Sequence, residues 1–144
     1  MRSILADKLC LGTAQFGLDY GVNNKKGKVP KVEAFSILGY ACENGIDTLD
    51  TADSYGDSER VIGEFISKTN RRIRIVSKTP AYPGPDVSVR KSCELALKRL
   101  RRQRLYGYLV HSFDDIKKHG KALWDDMARL KNEGLVEMIG ISFY

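Results

Sequence analysis

The sequence predicts an α/β fold built on a parallel sheet, and three observations predict it. Short apolar runs alternate along the whole chain with segments whose apolar residues recur at helical spacing. The helical segments are about 10–15 residues long, which suits βαβ crossovers. Glycine, proline or a capping residue stands at most of the junctions. Lys8–Thr13 reads as the first strand and 17–29 as a polar loop. Pro30 suits the first turn of a helix whose face is Val32, Phe35, Leu38, Ala41 and Cys42, stopped at Asn44-Gly45. Ile46–Leu49 is a second strand. Asp57 or Ser58 can cap a second helix carrying Val61, Ile62, Phe65 and Ile66. Arg72–Ser77 is a third strand, and the proline-rich 79–86 segment a loop. Asp86 or Ser88 caps a third helix with Val89, Cys93, Ala96, Leu97 and Leu100 on one face. Leu105–Val110, a helix over 121–132 stopped by Gly134, and Val136–Ile141 complete five strands and four helices. No linker, low-complexity stretch or GxGxxG loop interrupts them, so a doubly wound dinucleotide fold lacks its phosphate loop. Strand order itself cannot be read from periodicity.

Composition bounds the function classes. With 144 residues, 42% hydrophobic and 29% charged, the chain can bury a sizeable core. No apolar run approaches the roughly 18 residues of a membrane span, and no signal peptide is recognised, so a cytoplasmic, membrane-free protein is expected. Cys10, Cys42 and Cys93 are far apart and lie in apolar patterns, as small reduced core residues do. The net charge is +6, and its densest run is Lys98–Arg104. That run sits at a helix end, where cations offset the helix dipole, and no aromatic interleaving accompanies it. A solvated helix end is expected, and no nucleic-acid partner. His111, His119, Asp114 and Asp115 fit no metal-ligand spacing, so no metal is expected.

The segment Gly45–Gly63, GIDTLDTADSYGDSERVIG, has the form G-x-x-x-x-D-T-A-x-x-Y-G-x-x-E-x-x-x-G. LGTAQFG follows in the first strand's turn, Lys78 ends the third strand, His111 follows the fourth, and GLVEMIGIS runs through the fifth. Together these residues resemble the aldo/keto reductase family over nearly the whole chain. The resemblance implies a partial (β/α)8 TIM barrel, with residues 1–144 as the N-terminal half of the barrel domain. A whole barrel of this type takes about 250 residues. It also implies an NADP(H)-dependent oxidoreductase moving hydride between nicotinamide and a small carbonyl or alcohol. Catalytic groups of such barrels gather at the C-terminal strand ends. Asp50, Tyr55, Lys78 and His111 all fall there.

Elementary chemistry agrees with the roles the resemblance carries. A phenol is a weak proton donor at neutral pH, and a neighbouring ammonium stabilises its phenolate. Tyr55 would be the general acid in carbonyl reduction and the base in alcohol oxidation. Lys78 would supply the ammonium, Asp50 would hold Lys78 by a charge-assisted hydrogen bond, and His111 would orient the carbonyl oxygen. The resemblance also implies Gly12, Thr13, Asp50 and Ser142 as cofactor neighbours; Phe143 replaces the asparagine expected after Ser142. Glu59 is expected to serve the second helix structurally, and His119 matches no family position. Gln15, Phe16 and the 18–28 loop resemble a subgroup associated with sugar and polysaccharide genes, which would make the substrate a sugar derivative. The alternative is a truncated, catalytically silent half-barrel that only self-associates through its open edges.

Overall fold

The computed structural model describes residues 6–81 and 88–143. The period-two runs become β1 (Leu11–Gly12), β2 (Thr48–Asp50), β3 (Arg74–Lys78), β4 (Leu105–Val110) and β5 (Val136–Ile141). They form one sheet in the order β1-β2-β3-β4-β5, and every pair is parallel. The helical segments become α1 (Lys31–Glu43), α2 (Ser58–Thr69), α3 (Val89–Leu100) and α4 (Phe113–Asn132), one in each crossover. A doubly wound sheet reverses its strand order at a switch point. This sheet does not, and each strand lies beside its predecessor as in a barrel wall.

Alternation along the strands separates two faces. Leu49, Ile75, Tyr108 and Val110 are buried and join Leu38, Ile62, Cys93, Leu100, Leu123 and Met127 of the four helices in one core. Residues of opposite parity, including Asp50, Val76, Lys78, Gly107, Met138 and Gly140, face the other side. Met138 is 53% exposed there. The helices pack closely where small residues allow it: a Cβ on Gly63 of α2 would lie 2.2 Å from the Arg99 carbonyl oxygen of α3.

Several elements differ from the sequence expectation, each for a physical reason. β1 pairs only at Leu11 and Gly12, because residues 6–8 form a 3-10 turn. β2 and β3 each begin two residues later than expected, and they end on Asp50 and Lys78. On α1 the inward stripe is Ala34, Leu38 and Ala41, and Val32, about half a turn from Ala34, is 81% exposed. Asp57 occupies the N-cap of α2 without a side-chain cap bond, and the Ser58 hydroxyl turns to Thr13 instead. Ser88 does cap α3, accepting from the Lys91 amide; Asp86 and the rest of 82–87 lie outside the described residues. α4 begins eight residues early, at Phe113, because Ser112 accepts from the Asp114 amide and two acidic residues occupy the first turn. Gly120, at φ 47 and ψ −124, separates this extra piece from the expected helix. Of the cysteines, only Cys93 is fully buried; Cys42 is intermediate and Cys10, on the uncovered face, is exposed.

Among the described residues, one buried side-chain polar atom has no hydrogen-bond partner. The Tyr108 hydroxyl lies in the core under α2 and α3 with no hydrogen bond among the described residues. Burial, with the nearby Cys93 and Glu59, pushes its ionisation far up. An unsatisfied buried hydroxyl costs about 1–3 kcal/mol of desolvation. Tyr108→Phe is therefore expected to leave stability unchanged or raise it by up to about 1 kcal/mol, after allowing for the small void. The urea midpoint measures this; a fall of about 1 kcal/mol or more would show that the hydroxyl has a partner.

Candidate active site

Adjacent parallel strands carry Asp50 and Lys78 to the same end of the sheet. The Lys78 side chain is only 6% exposed, so its ammonium needs acceptors in place of water. It has three. Nζ donates to Asp50 Oδ1 at 2.5 Å and to the Thr51 carbonyl at 3.0 Å, and it reaches the Tyr55 hydroxyl at 3.4 Å. The same nitrogen lies 4.9 Å from the Tyr55 ring centroid. His111, just past β4, meets the Tyr55 ring edge-on, with centroids 6.1 Å apart. Its Nδ1 lies 3.4 Å from the Ser54 hydroxyl, and its amide donates to Thr79 Oγ1 at 3.1 Å. Four residues that are up to 61 positions apart in sequence (50 to 111) thus meet at one sheet end. Burial, and then the Lys78 charge, hold the His111 pKa below its ordinary value, so the imidazole is neutral at pH 7.

The loop bearing Tyr55 is held from below by two polar clusters. Thr13 donates to the Asp50 carbonyl at 2.8 Å; Ser58 Oγ lies 2.8 Å from Thr13 Oγ1 and accepts from Thr51 at 3.1 Å. In the second cluster Glu59, 1% exposed, accepts from Ser77 at 2.6 Å and from Arg99 Nε at 2.6 Å. Arg99 also bonds Asp53. Glu59 thus joins α2 to β3 and α3 through these hydrogen bonds. Two glycines admit the remaining contact. A Cβ on Gly17 would lie 1.7 Å from the Tyr55 carbonyl, and Gly56, at φ +53, has its own within 2.5 Å of the Gly17 carbonyl.

The other expected site residues are placed as follows. Gly12 pairs with Asp50 and has open space where a Cβ would stand. Thr13 is fully buried with its hydroxyl engaged, so its side chain supports Asp50 and does not face outward. Ser142 continues β5 through its backbone N–H, which donates to the Val110 carbonyl at 2.9 Å, and it lines a small cleft with Ser112, Phe113 and Lys117. Phe143 packs on Phe113, with ring centroids 5.1 Å apart. Sequence reasoning missed Arg99 and Ser77. The charge run hid Arg99; the only available signal was the signature's own Glu59, an acidic residue on an otherwise apolar helix face. Among the described residues, no group of three or more His, Cys, Asp and Glu is arranged to hold a metal, and no helix is long and apolar enough to cross a membrane.

The His111 environment has a measurable consequence. A base whose folded pKa is lowered takes up its proton more readily in the unfolded chain. Stability from this residue is thus complete above the ordinary value of 6.5 and falls as the pH drops below it, until the folded pKa is reached. NMR titration should find the imidazole protonating below pH 6.5, and His111→Gln should flatten the urea-midpoint profile in that window. A midpoint above 6.5 would contradict the assigned burial.

The aldo/keto reductase family model matches residues 8–144. The chloroplastic pyridoxal reductase of Arabidopsis thaliana is 32% identical over 130 residues, covering 78% of this chain and 34% of that protein. The Bacillus subtilis oxidoreductase YrpG is 29% identical over 156 aligned positions, covering 94% and 45%. Among solved structures, one assigned to the aldo-keto reductases from Pseudomonas aeruginosa superposes with a TM-score of 0.78 at 34% identity, covering 92% of this chain and 54% of that one. The Klebsiella pneumoniae enzyme in complex with NADP and acetate gives 0.71 at 26% identity, covering 93% and 44%. The chain spans 44–54% of the length of these solved structures and 34–45% of these curated relatives. With its signature segment wrapped around a buried lysine at the end of a sequentially ordered parallel sheet, the chain belongs to the aldo/keto reductase family.

Proposed function

We propose that this chain carries the acid–base half of an NADP(H)-dependent carbonyl/alcohol oxidoreductase, with Tyr55 as the proton donor and acceptor. The observation that carries this reading is the Lys78 ammonium, buried and directed at once to the Asp50 carboxylate and the Tyr55 hydroxyl. A positive N–H donor at the phenol oxygen stabilises charge that develops there as the proton leaves for a carbonyl oxygen. Asp50 and the Thr51 carbonyl hold that donor in place. The neutral imidazole of His111, edge-on to the Tyr55 ring, can donate a hydrogen bond to the same substrate oxygen and orient it. In alcohol oxidation the proton returns to Tyr55 by the reverse path.

The Klebsiella relative was crystallised with NADP, and another Klebsiella structure holds NADPH. The residues present here fit the nicotinamide end of such a cofactor. Gly12 leaves open space beside Asp50, whose side chain is partly exposed, and Ser142 offers a hydroxyl beyond β5. When bound, the nicotinamide supplies the hydride in reduction and takes it in oxidation. Thr13 acts through the Asp50 backbone, and Phe143 offers no amide where the family has asparagine. The substrate is a small aldehyde, ketone or alcohol; the sugar-derivative reading rests only on Gln15, Phe16 and the 18–28 loop.

The test is catalytic. Joined to the C-terminal half of a solved family member, the chain should oxidise NADPH in the presence of small aldehydes. Tyr55→Phe should lower kcat by about 10²–10⁴-fold, the usual worth of a positioned acid. Unchanged turnover in that variant sinks the assignment.

A second reading has its own observation. β1 pairs only with β2 and β5 only with β4, so each presents an unpaired ladder edge among the described residues, and β5 also carries the exposed Met138. Self-association through these edges is the expected behaviour of the chain as it stands. Light scattering should give a mass above 16.2 kDa that rises with concentration. A strictly monomeric chain at all concentrations removes this reading.

A further inference from the structure

A deep cleft lies at the other end of the sheet from Tyr55. Its volume is about 650 Å³, and five arginines line it: Arg72, Arg74, Arg101, Arg102 and Arg104. They come from the start of β3 and from the turn between α3 and β4. Arg74 and Lys78 stand at opposite ends of β3, about 13 Å apart along the strand. The cleft is therefore separate from Asp50, Tyr55, Lys78 and His111. Two carboxylates partly neutralise it, Asp47 against Arg74 at 2.7 Å and Glu137 against Arg104 at 3.2 Å. Among the described residues no carboxylate forms a salt bridge with the other three arginines, although the Glu64 carboxylate lies within electrostatic reach of Arg101. Among the described residues, Arg101 donates to the Ser67 hydroxyl at 2.8 Å, and Arg102 donates only to the carbonyls of Arg71 and Ile73, both at 3.3 Å. A half-buried guanidinium compensated only by carbonyl dipoles lacks an anion, and its burial lowers its pKa. Arg101, moreover, holds φ +54, a left-handed conformation more usual for glycine or asparagine, and so turns the run 101–104 back over the cleft.

We propose that this arginine cleft binds a diphosphate group, free or as part of a nucleoside diphosphate. Three guanidinium groups without a salt bridge among the described residues suit the two to three negative charges of a diphosphate. Their planar forks match phosphate oxygens two at a time, which lysines cannot do. The volume exceeds what one phosphate needs, and the Tyr106 ring in the wall offers a surface beside the anion. This site is independent of the proposed oxidoreductase function and uses none of its residues.

Calorimetry on the full chain with inorganic pyrophosphate, and separately with ADP, tests it. Saturable binding at one site per chain is expected for pyrophosphate. Tighter binding of ADP would assign the group to a nucleotide, and equal binding to free diphosphate; either supports the site. Arg72→Gln, which removes a side chain with no hydrogen-bond partner among the described residues, should weaken binding about tenfold or more. Arg102→Lys keeps the charge but loses the fork, and should weaken it measurably while the chain stays folded. Lys25→Gln with Lys26→Gln should leave binding unchanged. No saturable binding, or equal loss in the Lys25/Lys26 control, overturns the proposal.

Discussion

A lysine ammonium that is almost wholly withdrawn from water must be surrounded by acceptors, and that requirement organises this end of the molecule. Lys78 reaches the β2 carboxylate, a backbone carbonyl of the following loop and the phenol of Tyr55. Removing water from a cation costs several kcal/mol unless partners replace it. The loop after β2 therefore cannot drift from β3 without stranding the charge. The same contacts that satisfy the lysine place a donor at the phenol oxygen, so the structural need and the proposed chemistry coincide.

Behind this layer a second buried charge acts in the same way. Glu59 sits under the site with Ser77 and Arg99 as its donors, and Arg99 extends to Asp53, two residues before Tyr55. Ser77 immediately precedes Lys78. One carboxylate thus couples the strand that bears the lysine, the helix that follows the tyrosine and the helix beyond β3. Gly63 makes the coupling possible, because any side chain there would collide with the Arg99 carbonyl. Gly17 and Gly56 do the same for the turn after β1. Close backbone approach at three glycines is what lets short polar side chains reach one another here.

The sheet is chemically polarised. Its C-terminal end has Lys78 matched by Asp50, whereas its N-terminal end gathers five arginines with two carboxylates between them. The positive balance of the whole chain is therefore not spread evenly. Part of it is concentrated where β3 and β4 begin, far from the residues that the family signature contains.

The sequence by itself determined the alternation of strands and helices, β4 and β5 to the residue, and the signature that names the family. These are local properties: side-chain period, capping chemistry and a dense motif. Asp50, Tyr55, Lys78 and His111 could be singled out because the motif and the strand ends carry them. Tertiary structure alone decided the remainder. Val32 has the right residue type for a core position but the wrong angle on α1, and the partner surface settled which stripe turned inward. Ser58 had two uses, capping its helix or bonding Thr13, and the close passage of the β1 turn selected the second. Thr13 was turned inward by the same contact. The segment 113–119 has too few apolar residues to show helical period, yet Ser112 and the packing of Ile116 against the core make it a helix. Arg99 and Arg102 look like their neighbours in a basic run. Only the fold brings Glu59 to one and two strand-edge carbonyls to the other, because both are contacts between residues roughly thirty to forty positions apart.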